Sequence, residues 1–395
     1  MSRLRFLTAG ESHGKWLVGI LEGVPAGLPV SLETIQDELQ RRKQGHGRGA
    51  RQKIETDEFE IASGVRQGFT LGSPISVLIA NRDWKTWQEA LSVAPLPSAE
   101  IERCRVAIPR PGHADFAGAL KYGHADMRNV LERASARETA MRVAVGSIAR
   151  LFLAEAGITV ASRVIRIGAV ESPDAVSSPE TWRKIADASP VRCLDSDASA
   201  RMVQAIDEAQ KQGDTLGGIF EVAASGLPIG LGSHVHWDRR IEGPIAQAFM
   251  SLNAIKGVEI GGGFSLAAVP GSQAQDELLP GDESRGRSWN ASYRTNHSGG
   301  IVGGITTGQL LSVRAAMKPI ATLMRPLNSI DPRTGLPAHA HVERADVCAV
   351  PAAAVIGESL LALVLAEAVL EKFGGDSMNE ILPRILAWKD RQHLA

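Results

Sequence analysis

Between Arg110 and Arg142 the chain places His113 and His124, Asp115 and Asp126, and arginines at 110, 128, 133, 137 and 142. Histidine takes up and releases protons near neutrality, so it can act as an acid or a base. Arginine offers phosphate and carboxylate a planar fork of donors. Together these residue types suit binding an anion and moving a proton beside it. Ser135-Ala136-Arg137-Glu138 has the Ser-x-x-Glu form of a capping box, and Ala140, Val143, Ala144, Ile148, Leu151 and Phe152 follow at helical spacing. The pattern predicts a helix from just after Ser135 to near Gly157. Its N-terminus, flanked by Arg133 and Arg137, would present free N–H groups and the positive end of a dipole. The plainer reading of the same residues is a solvated basic helix start.

Three other stretches carry chemistry-bearing residues. Arg5 to Thr8 reads as a strand and runs into Gly10-Glu11-Ser12-His13-Gly14. This is no Walker A loop: the spacing to Gly14-Lys15 is one residue short, and Trp16 stands where Ser or Thr is needed. Arg41, Arg42, Lys43, Arg48 and Arg51 are interleaved with His46 and with Gly45, Gly47 and Gly49. Glycine lets backbone approach an anion closely, so Arg42 to Arg51 is expected to form a mobile anion-binding lid, with a disordered basic loop as the alternative. Further on, Gly299-Gly300 and Gly303-Gly304 imply close backbone approach, to another segment or to a flat ligand. Lys318 to Thr322 follows a strand, and Arg344-Ala345-Asp346-Val347-Cys348 precedes Pro351, which is placed to open the last long helix, ending at Gly374-Gly375.

The elements around these stretches are legible in outline. Ser31 caps an amphipathic helix to about Arg42; Glu58 to Gly64 and Pro74 to Ala80 read as strands, and Asn81 to Pro97 as loop. Gly168 to Asp197 reads as a surface connection, Arg201 to Gln212 as a helix, Pro244 to Gly257 as another, and Gln273 to Asn296 as a long mobile loop. An internal repeat is suggested by Val24 to Val30 against Ala224 to Gly230, and by the run from Thr70 against that from Thr306. Strands and helices do not alternate regularly. The pattern therefore favours antiparallel sheets in two related halves over a doubly wound sheet.

Composition removes other classes. A net charge of −1, two tyrosines and nine phenylalanines over 395 residues argue against a nucleic-acid surface. The apolar segment Val355 to Leu370 contains Glu358 and Glu367, so a buried helix is expected there and no membrane span. No signal peptide opens the chain, and three cysteines without metal-ligand spacing fit a reducing compartment, here the cytoplasm. Length alone suggests two or three domains.

The motifs Gly10 to Gly14, Arg42 to Arg51, Arg110-Pro111-Gly112-His113-Ala114-Asp115, Glu132 to Thr139, Ala254 to Glu259, Gly303-Gly304-Ile305 and Lys318-Pro319 resemble the chorismate synthase family, in one order over nearly the whole chain. Many members of that family read Arg-His-Asp-Pro-Cys where this chain has Arg344 to Cys348, so the acid is kept and the adjacent histidine is not. The resemblance implies an α+β fold, a β-α-β sandwich with helices between two antiparallel sheets, formed by residues 1–395 as one domain and assembled as a homotetramer. It implies reduced FMN as cofactor, with electrons from NADPH or from an external reductant. The substrate would be 5-enolpyruvylshikimate 3-phosphate, losing phosphate and a ring proton by 1,4-elimination. By the same resemblance, His13, His113 and Asp346 would be catalytic, and Ser12, Arg51, Arg110 and Arg137 would bind substrate. Arg42, Arg48, Arg133, Ala134, Ser135, Asn253, Ala254, Gly303, Lys318, Pro319, Ile320, Ala321, Thr322 and Arg344 would bind the cofactor. A flavin-independent phosphotransferase and an RNA-binding protein are the competing classes; the motif sets and basic surface they require are missing.

Overall fold

The computed structural model describes residues 4–49, 51–173, 178–280, 291–343 and 345–394. Its first sheet contains β1 (Arg5–Ala9), β2 (Trp16–Glu22), β3 (Phe59–Ser63) and β4 (Ile75–Ala80), in the order β1-β2-β4-β3. Every pairing is antiparallel. The second sheet contains β5 (Thr159–Ile167), β6 (Val170–Glu171), β7 (Gly218–Ser225), β8 (Ile255–Ile260) and β9 (Leu311–Met317). Its order is β8-β9-β7-β5-β6, again antiparallel throughout.

The main helices are α1 (Leu32–Lys43), α2 (Asp115–Tyr122), α3 (Arg128–Ala134), α4 (Thr139–Glu155), α5 (Pro179–Ala188), α6 (Ser196–Lys211), α7 (Glu242–Met250), α8 (Val350–Phe373) and α9 (Met378–Leu394), with further short helical segments at Arg51–Ile54, Trp84–Trp87, Ser98–Cys104 and Gly271–Ala274. Three of them fill the space between the sheets. Helix α4 lies on the first sheet, where Met141 and Val145 occupy the room left by Gly19. Helix α8 lies on the second, with Gly357 against Phe220 and Val222. The two helices meet where a methyl at Gly146 would overlap Ser359, and α1 packs beside both. One apolar cluster runs through both sheets and these helices. The expected sandwich of helices between two antiparallel sheets is the observed fold.

Helix α8 is long and apolar enough to cross a membrane, yet 89% of its most apolar window is buried inside this molecule. It carries the fully buried Glu358. That carboxylate accepts from Arg41 Nη1 at 2.8 Å, Arg150 Nη1 at 2.6 Å, Ser162 Oγ at 2.6 Å and Arg192 Nη2 at 3.5 Å. Arg41 and Arg150 also hold Glu38, while Arg41 and Arg192 hold Asp187. One ion cluster thus joins α1, α4, α5, β5 and α8 in the middle of the layer.

The internal repeat is visible in the hydrogen bonds. Thr70 Oγ1 donates to Pro25 O at 2.5 Å and accepts from Leu28 N at 2.9 Å. Thr306 Oγ1 donates to Pro228 O at 2.7 Å and accepts from Leu231 N at 2.9 Å. Each threonine closes a two-residue hairpin, one turning at Gln67-Gly68 and the other at Gly303-Gly304, with all four residues at positive φ. Such a turn matches the twist of the strands it joins and favours glycine.

Several boundaries differ from the sequence reading. The capping serine Ser135 accepts from Arg137 N and starts a 3₁₀ turn, Ala136–Glu138, and α4 begins only at Thr139. The supposed connection 168–197 contains α5, whose Trp182 is buried on the outer face of the second sheet; Ser178, Pro179 and Glu180 were its start signal. The helix expected to Gly257 ends at Met250, and β8 follows. The expected loop 273–296 holds a short hairpin, Leu278–Pro280 with Ala291–Tyr293; the residues between lie outside the described part. Helix α8 is not the last, since α9 follows with Pro383 inside it.

Burial alone would raise the Glu358 pKa, but Arg41, Arg150 and Arg192 outweigh it and hold the carboxyl well below its usual range. A depressed carboxylate stabilises the fold above the ordinary carboxylate range and loses that contribution as pH falls through the folded-state value. Glu358→Gln removes the buried charge that Arg41, Arg150 and Arg192 share, leaving them only Glu38 and Asp187, and should lower the unfolding free energy by about 3–5 kcal/mol. It should also flatten the acid limb of stability against pH. Chemical denaturation across pH checks both, and an unchanged midpoint would show that the cluster contributes nothing.

Candidate active site

Beside this core lies a cavity of about 780 Å³, within the size range of small-molecule sites. The turn after β1 delivers Ser12 and His13 to it. Ser12 N donates to Glu132 O at 2.9 Å, and Asn81 Nδ2 donates to Gly14 O at 2.7 Å, so both ends of the turn are fixed. The His13 ring meets the Glu132 carboxylate, with Nδ1 at 3.0 and 3.1 Å from its two oxygens, and stacks on Trp87 with centroids 4.1 Å apart. Ser12 Oγ donates to Ser135 Oγ at 3.0 Å and accepts from Arg51 Nη1 at 2.6 Å.

The second histidine comes from the turn before α2. His113 Nδ1 lies 2.5 Å from Asp115 Oδ1. Asp115 Oδ2 accepts from Arg110 Nε at 2.8 Å and from Arg110 N at 3.1 Å. Burial works against the ionisation of Asp115, but the bonds from His113 and Arg110 outweigh it and hold the carboxyl well below its usual range. Arg110 Nη1 reaches Thr322 Oγ1 at 2.9 Å, and Lys318 Nζ reaches Gly112 O at 2.6 Å, which ties this turn to the strand exit after β9.

The cationic wall is backed by acids that the sequence reading did not single out. Asp57 is fully buried at a φ of 54° and accepts from both Arg137 and Arg42. Glu55 pairs with Arg51 and Arg137. Burial, opposed by Asp57, pushes the Arg42 guanidinium down to about 10, so it remains a cation at neutral pH. Burial also lowers Arg51, with Arg137 adding to the effect.

The basic loop is seated, where a mobile lid was expected. His46 N donates to Pro190 O and Val347 N to Gly47 O, each at 2.7 Å. Asp346 accepts from Gly49 N with one oxygen and pairs with Arg48 Nη1 through the other, both at 2.6 Å. Asp346 lines the cavity, but both of its oxygens are engaged in holding this loop.

Most of the residues singled out in the sequence converge here. Ser12, His13, Arg42, Arg48, Arg51, Arg110, His113, Ala134, Ser135, Arg137, Asn253, Ala254, Lys318, Ile320, Ala321, Thr322 and Asp346 line the cavity. Pro319 is not among the lining residues. Gly303 also lies outside the lining, in the hairpin turn described above, where its glycine serves the positive φ. Arg133 is exposed and bridges to Thr8 O and Gly10 O. Arg344 lies outside the described residues. Trp87, Arg128, His341 and Glu343 line the cavity as well, and sequence reasoning did not assign them to it. His341 Nε2 lies 3.3 Å from Glu343 Oε1. Glu343 is also held below the usual carboxylate range: burial opposes this, and His341 and Arg110 outweigh it.

Three buried polar atoms on the lining have no partner among the described residues: Arg48 Nε, Arg51 Nε and Asn253 Oδ1. Buried polar groups are almost always paired, so these two donors and one acceptor mark where a bound molecule would complete the wall. Fold and site together define an α+β enzyme built to take a multiply anionic small molecule and to move protons beside it. The chain belongs to the chorismate synthase family, whose family model, described as "Chorismate synthase", matches residues 4–370. The chain is 52% identical over 396 residues to a chorismate synthase of Streptomyces avermitilis and 55% identical over 391 to one of Moorella thermoacetica, covering 99% of each chain in both cases. A solved structure titled "Crystal Structure of Chorismate Synthase" aligns at a TM-score of 0.78 with 43% identity, covering 98% of both chains. The protein is accordingly a lyase of the shikimate pathway to aromatic amino acids.

Asp346→Asn should keep the acceptor for Gly49 N but weaken the tie to Arg48. Trypsin should then cleave within the 42–51 loop about tenfold faster, the value of roughly one charge-assisted hydrogen bond. An unchanged cleavage rate would mean that the backbone bonds to Pro190 and Val347 hold the loop alone.

Proposed function

We propose that this chain converts 5-enolpyruvylshikimate 3-phosphate to chorismate and phosphate by 1,4-elimination, with reduced FMN as cofactor. The observation that carries this reading is the convergence of Arg42, Arg48, Arg51, Arg110, Arg128, Arg137 and Lys318 on one cavity that also holds His13 and His113. A substrate with one phosphate and two carboxylates needs such a wall, and unpaired Arg48 Nε and Arg51 Nε point to it. The residues present also fit the flavin. Asn253 Oδ1 offers a buried acceptor for a ring N–H, Lys318 a charge for the phosphate, and Leu252, Met317 and Ile356 an apolar wall for the rings.

When bound, reduced flavin supplies electron density to the breaking C–O bond and recovers it before product leaves. The protein's part is binding and proton handling. Ser12, Arg51, Arg110 and Arg137 hold the substrate anions. His13 gives a proton to the departing phosphate, and His113, fixed by Asp115, balances charge beside the cofactor. Asp346 takes part in removing the ring proton. Exclusion of water from the closed site strengthens each arginine–anion contact. We extend the reading to a cytoplasmic homotetramer of single-domain chains. Leu7 and Ile20, paired across β1 and β2 and 72% and 41% exposed, offer apolar surface for such contacts.

The elimination leaves the carbon skeleton at its original oxidation level, so the flavin is needed but not consumed. With a substoichiometric amount of reduced FMN and no other reductant, anaerobic turnover should yield many chorismate molecules per flavin. One product per flavin, with oxidised FMN accumulating, would overturn this reading.

The two histidines should separate by spectrum. Each alanine variant should lose about 10²–10⁴-fold in turnover if the histidine acts in proton transfer. His113→Ala should perturb bound reduced FMN directly, and His13→Ala only once substrate is added. Identical spectral effects would refute the division of roles.

A further inference from the structure

We infer that Glu132 is the positioning residue for His13, fixing its tautomer and ring orientation; this rests on the acid role proposed above for His13. Glu132 is 3% exposed and sits on α3, distant in sequence from the turn that carries His13. Its Oε2 accepts from His13 N at 2.9 Å, and its Oε1 accepts from Arg128 Nη1 at 3.3 Å. The main chain of the same residue receives Ser12 N. Both carboxylate oxygens lie within 3.1 Å of His13 Nδ1. An ionised carboxylate only accepts hydrogen bonds, so Nδ1 must carry a hydrogen. Nε2 is then the ring nitrogen left for the cavity.

Two further contacts restrict the ring. Trp87 stacks on it with an interplanar angle of 27°. The Arg128 guanidinium lies over the same indole at 4.9 Å while also binding Glu132, so one arginine braces both supports of the histidine. The ring can neither flip nor tilt without breaking one of them.

His13 starts as an imidazolium, with one hydrogen on Nδ1 facing Glu132 and one on Nε2 facing the cavity. As the C–O bond breaks, its electron pair leaves with the phosphate, and the Nε2 proton moves to a phosphate oxygen. A neutral imidazole remains, with its hydrogen on Nδ1. Glu132 stays ionised throughout and stabilises the cation before transfer, as the carboxylate of a catalytic triad does for its histidine.

The test has a spectroscopic and a kinetic arm. Histidine-selective ¹⁵N NMR of the wild-type protein at high pH should show neutral His13 as the Nδ1–H tautomer. The Nε2–H tautomer would overturn the inference, whatever the fate of any variant. In the anaerobic assay with reduced FMN, Glu132→Gln should reduce kcat about 10²-fold with KM nearly unchanged. The same change in a His13→Ala background should cost nothing more, because the group being positioned is gone. Equal losses in both backgrounds would show that Glu132 acts without His13 and would overturn the inference. Full activity of His13→Ala would instead sink the acid role proposed above, and the NMR arm would still decide whether Glu132 sets the tautomer.

Discussion

One buried carboxylate sets the geometry of this molecule. Glu358 lies in the middle of a helix that is otherwise apolar, in a layer that no water reaches. An unpaired charge there would cost many kcal/mol, so the fold must bring arginines to it. It draws Arg41 from α1, Arg150 from α4 and Arg192 from the segment after α5. Arg41 is thereby locked, and the rotation of α1 about its own axis is locked with it. Its neighbour Arg42 is carried round by one residue and faces the cavity. The core and the active site are therefore set by adjacent residues of one helix.

A similar economy governs the cavity. Its cations are not left to wait for ligand. Asp57, Glu55 and Asp115 hold Arg42, Arg137, Arg51 and Arg110 from behind, and Asp346 holds Arg48 on the lining itself. Each guanidinium has five donors in a rigid fork, so some can be tied to the scaffold while others stay available. Held side chains lose little entropy when an anion binds, and the charges need no reorganisation as the phosphate departs. Asp57 accepts a left-handed backbone to reach its two arginines, a strain of the kind that clusters at functional sites.

The sequence was most readable where chemistry and local signals coincide. The serine, histidine and arginine motifs stand in short loops, and most of their residues meet in one cavity. Ser31 capped the helix it was expected to cap, because capping needs only neighbours in the chain. What escaped were partners that only the fold supplies. Nothing in the run around Trp84 and Trp87 says that Trp87 will stack on His13, and nothing in α3 distinguishes Glu132 from any helical glutamate. Gly303-Gly304 shows the converse. The pair is conspicuous, yet it lies in a hairpin turn off the cavity lining, as Gln67-Gly68 does in the first half. Helix α9 was passed over because Gly374-Gly375 is a strong stop and Pro383 lies inside the helix that follows.

The two ends of the chain are also knit together. Ala26 N donates to Asp376 O and Met378 N to Ala26 O, each at 2.9 Å, and Leu4 N reaches Glu367 on α8. Arg41 and Glu358 are separated by 317 positions. A ribosome adds roughly 5–20 residues per second, so the first sheet and α1 emerge on the order of tens of seconds before the residues that complete them. During that interval the N-terminal half holds an arginine without its carboxylate and an apolar sheet face without its full cover. Residues from Glu358 to Met378 therefore close a core begun before Arg42, and a chain cut short ahead of Glu358 would leave that core unfinished with the loops of the cavity already made.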